Sequence, residues 1–407
     1  MSSDALSVGR HPAASRAAAP GRAMLAGFAA SLVGLGLARF AYTPLLPAIV
    51  QARWFDAADA SWLAAANLTG YLAGALVGAP LSARASARAM LRGMMLLSTL
   101  SLLACAWPVD FAWFFAWRFL AGVGGGTLMV LAAPTVLPHI APARRGFASG
   151  AIFMGVGVGI AASGSLVPLL LRHGLTAAWL GLGAMSLALT MLAWSGWPAA
   201  DAPAPAKRGH VDHRLPVGAL RVVYVEYALN AVGLVPHMIY LVDFVARGLG
   251  QGLAAGAHLW VLFGIGAVAG PILGGLVADR TGFRTALRLA FALQVVAAWL
   301  PAFGAGGAWL AVSSLVMGAF TPGIVGLVLG RLHELLVHHP ASHKLAWGRA
   351  TTGFAILQAA AACGMSTLLI RSGGHHAPLF MLAGAAILLA LAIDLAAPRL
   401  FAQASQP

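Results

Sequence analysis

The chain has 407 residues, of which 60% are hydrophobic and only 9% charged, and its mean hydropathy is +0.86. Soluble domains carry about 25% charged residues, so a soluble enzyme or regulatory domain is excluded and an all-α integral membrane protein is expected. The formal charge of +14 would suit a nucleic-acid binder, but its placement along the loops assigns it to membrane orientation instead.

Apolar runs approach or exceed the length a bilayer-spanning helix needs, roughly 20 residues at about 1.5 Å each. They occur at 23–50, 60–81, 90–109, 111–138, 147–171 and 174–197, and again at 221–246, 252–278, 284–304, 307–330, 347–370 and 376–397. This predicts a twelve-helix protein in two sets of six. A basic tail (1–22) precedes the first bundle (23–197), a Pro-, Ala- and charge-rich linker (198–220) divides it from the second (221–398), and a short tail (399–407) follows. The run behind the basic tail is too long for a signal-peptide core and shows no cleavage site, so it is expected to stay as the first helix.

With both termini inside, the cytoplasmic segments hold Arg10, Arg16, Arg22, Arg84, Arg88, Arg92, Arg144, Arg145, Lys207, Arg208, Arg214, Arg221, Arg280, Arg284, Arg288, Arg331, Lys344, Arg349 and Arg399. The external ones hold Arg53, Arg172, Arg247 and Arg371. This positive-inside bias accounts for the charge without any nucleic acid. Cys105 and Cys363 both lie in apolar runs, which argues against a disulfide framework or a zinc site.

Polar residues inside spans are costly and therefore informative. Counting helix rise places Arg39, Asn67, Arg118, His237 and His258 at one level in the outer half of the membrane. Glu226 is the one glutamate within a span and a candidate proton carrier, although it can also snorkel to the cytoplasmic headgroups or pair with Arg221. Asn230, Gln294 and Gln358 come out near mid-depth, free to bind a solute or bridge helices. Asp243 and Asp394 are expected at the interfaces. His237 follows Pro236, which removes a backbone donor and kinks its helix; the imidazole can titrate or bond a freed carbonyl. The glycine runs 122–126 and 155–159 resemble nucleotide-binding loops only superficially. They lie within apolar spans, where small residues four apart let helices approach closely. In the loop HELLVHHPASHK (333–344) several histidines and Glu334 could bind a metal, but Pro340 breaks their register and no metal is expected.

The segment GGLVADRTGFRTALR (274–288) is similar to the loop signature of the major facilitator superfamily, with Gly275, Asp279, Arg280, Gly282 and Arg284 in the signature positions. The first-half counterpart, GAPLSARASARAMLR (78–92), has Ser82 in place of the acid. RFLAGVGGG (118–126) and GAIFMGVGVGIAASG (150–164) resemble the superfamily's fourth and fifth helices. The opening stretch GLGLARFAYTPLLP (34–47), with GYLAGALVGAP (70–80), resembles the YbfB/YjiJ-like group.

The resemblance implies two pseudo-symmetric six-helix bundles whose first, fourth and seventh helices line a central cavity. Arg39, Arg118 and His237 are then expected to face it, with Asn67 and His258 at its rim or gate. In relatives the fourth-helix arginine can instead be structural, bonding a neighbour's backbone. The expected function is a proton-coupled secondary transporter in the bacterial inner membrane, monomeric and without cofactor. It would move a small anionic or polar solute by alternating access, with efflux favoured. A non-transporting sensor or scaffold of the same fold, and a membrane-embedded enzyme, are the alternatives.

Overall fold

The computed structural model describes residues 20–82, 86–141, 144–198, 215–304, 306–339 and 342–403. The basic tail before residue 20, Arg84, the linker interior 199–214, Pro340 and residues 404–407 lie outside the described residues.

Among those residues the chain forms twelve helical rods and no strand. The first bundle contains α1 (Pro20–Gln51), α2 (Ala57–Ser82), α3 (Ala87–Ala104), α4 (Phe111–Val136), α5 (Arg145–Leu171) and α6 (Leu175–Ala193). The second contains α7 (Val217–Gly248), α8 (Gly252–Thr281), α9 (Phe283–Trp299), α10 (Gly307–Leu335), α11 (His343–Arg371) and α12 (Ala377–Gln403). Eleven are long and apolar enough to cross a membrane. The other, α9, has 17 residues and is continued by turns toward Gly304.

Local chemistry sets several ends away from the apolar runs. Ser86 caps α3 by accepting from the Ala89 N–H at 3.2 Å, and Asp110 caps α4 through the Trp113 N–H at 2.7 Å. The third helix stops at Ala104, short of the expected 109, because Pro108 disfavours helical backbone just before it. The start of α7, the end of α10 and the start of α11 extend past their apolar runs, since a helix continues into the headgroup region where charged residues are welcome.

Small residues decide which helices touch. A Cβ added at Gly70 or Gly74 of α2 would land on the carbonyls of Phe119 or Val123 in α4, and one at Gly122 or Gly126 on those of Asn67 or Tyr71. The second bundle repeats the crossing. Gly266 and Gly270 of α8 meet the carbonyls of Leu315 and Ala319 in α10, and Gly318 meets that of Phe263. The pseudo-symmetry is therefore physical: equivalent helix pairs use the same small-residue contact.

Between the bundles, α5 packs on α8, α2 on α11, and α1 on α7. An apolar core joins Tyr42, Leu45 and Leu63 of the first bundle to Ile239, Met365 and Leu379 of the second, so the bundles are closed against each other at this end. The α1 rod is not uniform. Residues Leu32–Phe40 wind as a π-helix, a wider turn that displaces backbone carbonyls from their usual partners and often marks functional positions.

A Cβ at Gly122 would abut a carbonyl, whereas one at Gly326 would meet nothing within 4 Å. Gly122→Val should therefore cost about 1–3 kcal/mol or more, and Gly326→Ala little. Thermal unfolding of the two variants in detergent checks this; equal melting temperatures would contradict the packing argument.

Candidate functional site

Arg39 projects from the end of the π-wound stretch into the seam between the bundles. Its Nη2 donates to Oε1 of Gln358 on α11 at 2.8 Å, a bond from one bundle to the other, and approaches the Met238 sulfur at 3.9 Å. The guanidinium lies 5.0 Å from the Tyr71 ring and 5.2 Å from that of Phe40, distances at which the ring quadrupole attracts a cation. No carboxylate pairs with it among the described residues. Gln358 is only 1% exposed, so the contact belongs to the protein interior.

Arg118, 2% exposed, is used differently. Its Nη1 donates to the Ala38 carbonyl at 2.7 Å, and its guanidinium stacks 4.3 Å from the Tyr42 ring. The π-wound segment thus presents a carbonyl that the arginine of α4 takes up. Asn67 completes the junction: its Nδ2 donates to the Arg118 carbonyl at 3.1 Å, while its Oδ1 is buried with no partner. An acceptor left in that state costs about 1–3 kcal/mol.

Arg39, Tyr42, Thr43, Ala64, Asn67, Leu68, Met238 and Ile239 enclose a cavity of about 20 Å³. That is room for roughly one water molecule. Thr43 also bonds across the seam, its hydroxyl donating to the Met238 carbonyl at 2.5 Å.

Outward of this cavity lies a hydroxyl cluster. The Tyr240 hydroxyl sits 2.6 Å from Ser61 Oγ and 3.0 Å from Ser366 Oγ, and Ser366 lies 3.2 Å from the Ser61 carbonyl. It ties α2 to α7 and α11. One turn along α7, Asp243 is fully buried within the protein. It accepts from Arg247, and His376 Nε2 lies 2.8 Å from its Oδ2. A carboxylate can sit there because two donors replace its water.

The remaining expected residues do not converge on the cavity. His237 turns into the second bundle, its Nε2 2.8 Å from Ser313 Oγ, which itself donates to the Ala297 carbonyl. Nε2 therefore carries the proton and Nδ1 is left without a partner. Pro236 frees a backbone group on the same turn, but the imidazole bonds a serine instead. His258 is exposed on α8, and Asn230 donates to Gln294 Oε1 at 2.8 Å inside the second bundle.

Glu226 lies near the N-terminal end of α7. It neither snorkels nor pairs with Arg221. It is buried against a separate cavity of about 80 Å³ lined also by Arg284, Arg331 and Asp394, and its Oε1 has no partner. Asp394 binds both Arg284, at 3.2 Å, and Arg288. Of the loop signature, Gly282 adopts φ +80°, a left-handed backbone that favours glycine, and ends α8. The following Phe283 N–H donates to Glu334 at 3.1 Å, and Glu334 pairs with Arg331 at 2.9 Å. Gly275 lies on α8 with nothing within 4 Å of its Cβ position, while Asp279 and Arg280 are exposed. In the histidine-bearing loop, the rings of His333 and His343 lie 5.6 Å apart, but no group of three metal-binding side chains forms among the described residues.

Comparison with known proteins bears on the whole chain. Residues 31–395 match the family model described as "Uncharacterised MFS-type transporter YbfB". Among solved structures, a D-xylose–proton symporter superposes with a TM-score of 0.74 at 15% identity, covering 92% of this chain and 97% of that one. A bacterial homolog of the human lysosomal transporter Spinster, in an inward-facing and occupied conformation, superposes with a TM-score of 0.68 at 14% identity, covering 93% and 97%. No curated protein sequence matches.

Removing the Tyr240 hydroxyl takes bonds only from the shut conformation. With a net value of about 0.5–1.5 kcal/mol for each of its two bonds, Tyr240→Phe should raise the population open at this end roughly fivefold to a hundredfold. Accessibility of a cysteine placed at Ser61 to an external thiol reagent reads that population, and an unchanged rate would contradict the seal.

Proposed function

Given that the chain belongs to the YbfB family of MFS-type transporters, and so is a multi-pass membrane protein of a secondary-transporter family, we propose that it moves a small anionic solute through the Arg39 cavity by alternating access. One observation carries this reading: a guanidinium at the seam of the bundles is bonded across the seam to Gln358 and to no carboxylate. A cation deep in a membrane is costly unless something compensates it. An anionic solute would compensate it, and would do so at the joint whose opening constitutes transport.

The bundles 23–197 and 221–398 act in this proposal as rocking bodies joined by the 198–220 linker. In the shut conformation the contacts Arg39–Gln358, Thr43–Met238 and the Tyr240 cluster hold the outer ends together. A solute anion replaces Gln358 on Arg39, so the loaded cavity no longer presents a bare charge as the bundles reorient. In the opposite conformation Asp279, exposed in the shut one, engages basic residues at the cytoplasmic face. Differential contacts of this kind are what shift a two-state equilibrium.

The proposed energy source is a proton gradient, with Glu226 as carrier. Support comes from its place: a buried carboxyl without a partner, beside a cavity near the cytoplasmic face and among Arg284, Arg331 and Asp394. Proton uptake makes Glu226 neutral and releases its pull on those arginines; proton loss restores it. That changes the charge balance beside the loop bearing Asp279. Outward transport is proposed from the family resemblance. A monomer with cytoplasmic termini in a bacterial inner membrane is proposed from that resemblance and the positive-inside charge bias.

Arg39→Gln should abolish flux of anionic solutes in proteoliposomes, by about a hundredfold or more, while leaving the purified protein folded; retained flux would remove Arg39 from the site. Glu226→Gln should lose transport driven by an imposed pH gradient yet keep solute exchange. A wild-type response to the gradient would exclude Glu226 as carrier.

A further inference from the structure

The polar atoms around the cavity specify more than a negative charge. A carbonyl oxygen can only accept, so the amide of Asn67 must direct its nitrogen at the Arg118 carbonyl, 3.1 Å away. What remains is Oδ1, an acceptor, and it is buried without a partner on a residue that is 2% exposed and lines the Arg39 cavity. A ligand there must bring a donor of its own.

Three further features narrow its chemistry. The group now on Arg39 Nη2 is the planar amide oxygen of Gln358 at 2.8 Å, which stands where one oxygen of a planar carboxylate would bond. The walls beside it are Ala64, Leu68, Met238 and Ile239, suited to a short aliphatic body. Both nearby cations, Arg39 at the cavity and Arg118 behind the Tyr42 ring, are unmatched by any carboxylate among the lining residues. They favour a neutral donor over an ammonium, which would place a further positive charge in the same space.

We propose that the solute is a small hydroxy-carboxylate, its carboxylate on Arg39 and its hydroxyl donating to Asn67 Oδ1. This rests on the anion-transport reading and adds the second contact. The apolar walls then hold the carbon skeleton, and the shut cavity of about 20 Å³ expands around the solute when the bundles part. Asn67 is a specificity-determining residue in this assignment, and Arg39 sets affinity for the class.

The test is competition in a liposome exchange assay among butyrate, 2-hydroxybutyrate, 3-hydroxybutyrate and 2-aminobutyrate on the intact protein. At least one hydroxy acid should compete roughly tenfold or more better than both butyrate and the amino acid, as expected when a buried acceptor is satisfied only by the hydroxyl. Asn67→Leu should bring the hydroxy acids down to the level of butyrate; should this variant fail to fold, the wild-type ranking decides alone. Equal competition by all the acids would overturn the hydroxyl contact while leaving anion transport standing. A preference for the amino acid would overturn the argument from charge. Failure of every carboxylate to compete would overturn the proposal together with the reading beneath it.

Discussion

The architecture turns on the unbalanced charge of Arg39. Arg39 sits inside the membrane, at the joint between two bundles, with an amide, a thioether and aromatic faces for company. A guanidinium stays charged in proteins, so it cannot escape the cost of burial by losing its proton. Its environment must supply compensation, and the described residues supply only dipoles and ring faces. The deficit is tolerable in a site meant to receive an anion and wasteful in a purely structural one.

The neighbouring elements make sense as support for that side chain. The π-wound stretch of α1 ends at Phe40, immediately beyond Arg39, and exposes the Ala38 carbonyl that Arg118 binds. Arg118 fills the structural role open to it as well as adding positive field behind Tyr42. Asn67 fastens to the Arg118 backbone, so α1, α2 and α4 are locked around the same turn. The glycine crossing of α2 on α4 allows this closeness, since Gly122 meets the carbonyl of Asn67 itself. The seam between the bundles combines those hydrogen bonds with broad apolar contact and a close crossing of α5 on α8, where Gly264 meets the backbone of Ala161.

Much of this was legible in the sequence, and the limits have a physical cause. Helix number follows from apolar run length, and the level of Arg39, Asn67 and Arg118 follows from rise per residue. The loop around Asp279 announces itself by spacing. Azimuth is another matter. These helices are apolar nearly all round, so no polar stripe says which side faces a partner bundle. That is why His237 and His258 share the right depth but turn elsewhere, one to Ser313 and the other outward. Gln358 was recognisable as a polar group at mid-depth but not as the partner of Arg39, which is 319 positions away in the chain. Ser61, Tyr240 and Ser366 gave no signal, because serine is common in helix contacts and the seal exists only as a three-helix meeting. Asp243 and Asp394 were placed by position near the ends of their helices, and the fold supplies each with partners, Arg247 and His376 for the first and Arg284 with Arg288 for the second.

The claim beneath all of this is that the Arg39 position lies on a solute path, and site-directed labelling tests it directly. In a protein whose Cys105 and Cys363 are replaced by alanine, Arg39→Cys would be exposed to a small charged thiol reagent in inside-out and right-side-out vesicles. The account predicts modification from the cytoplasmic side, and modification from outside once the Tyr240 seal is weakened. A cysteine unreactive from both sides in both backgrounds, in a folded protein, would contradict it.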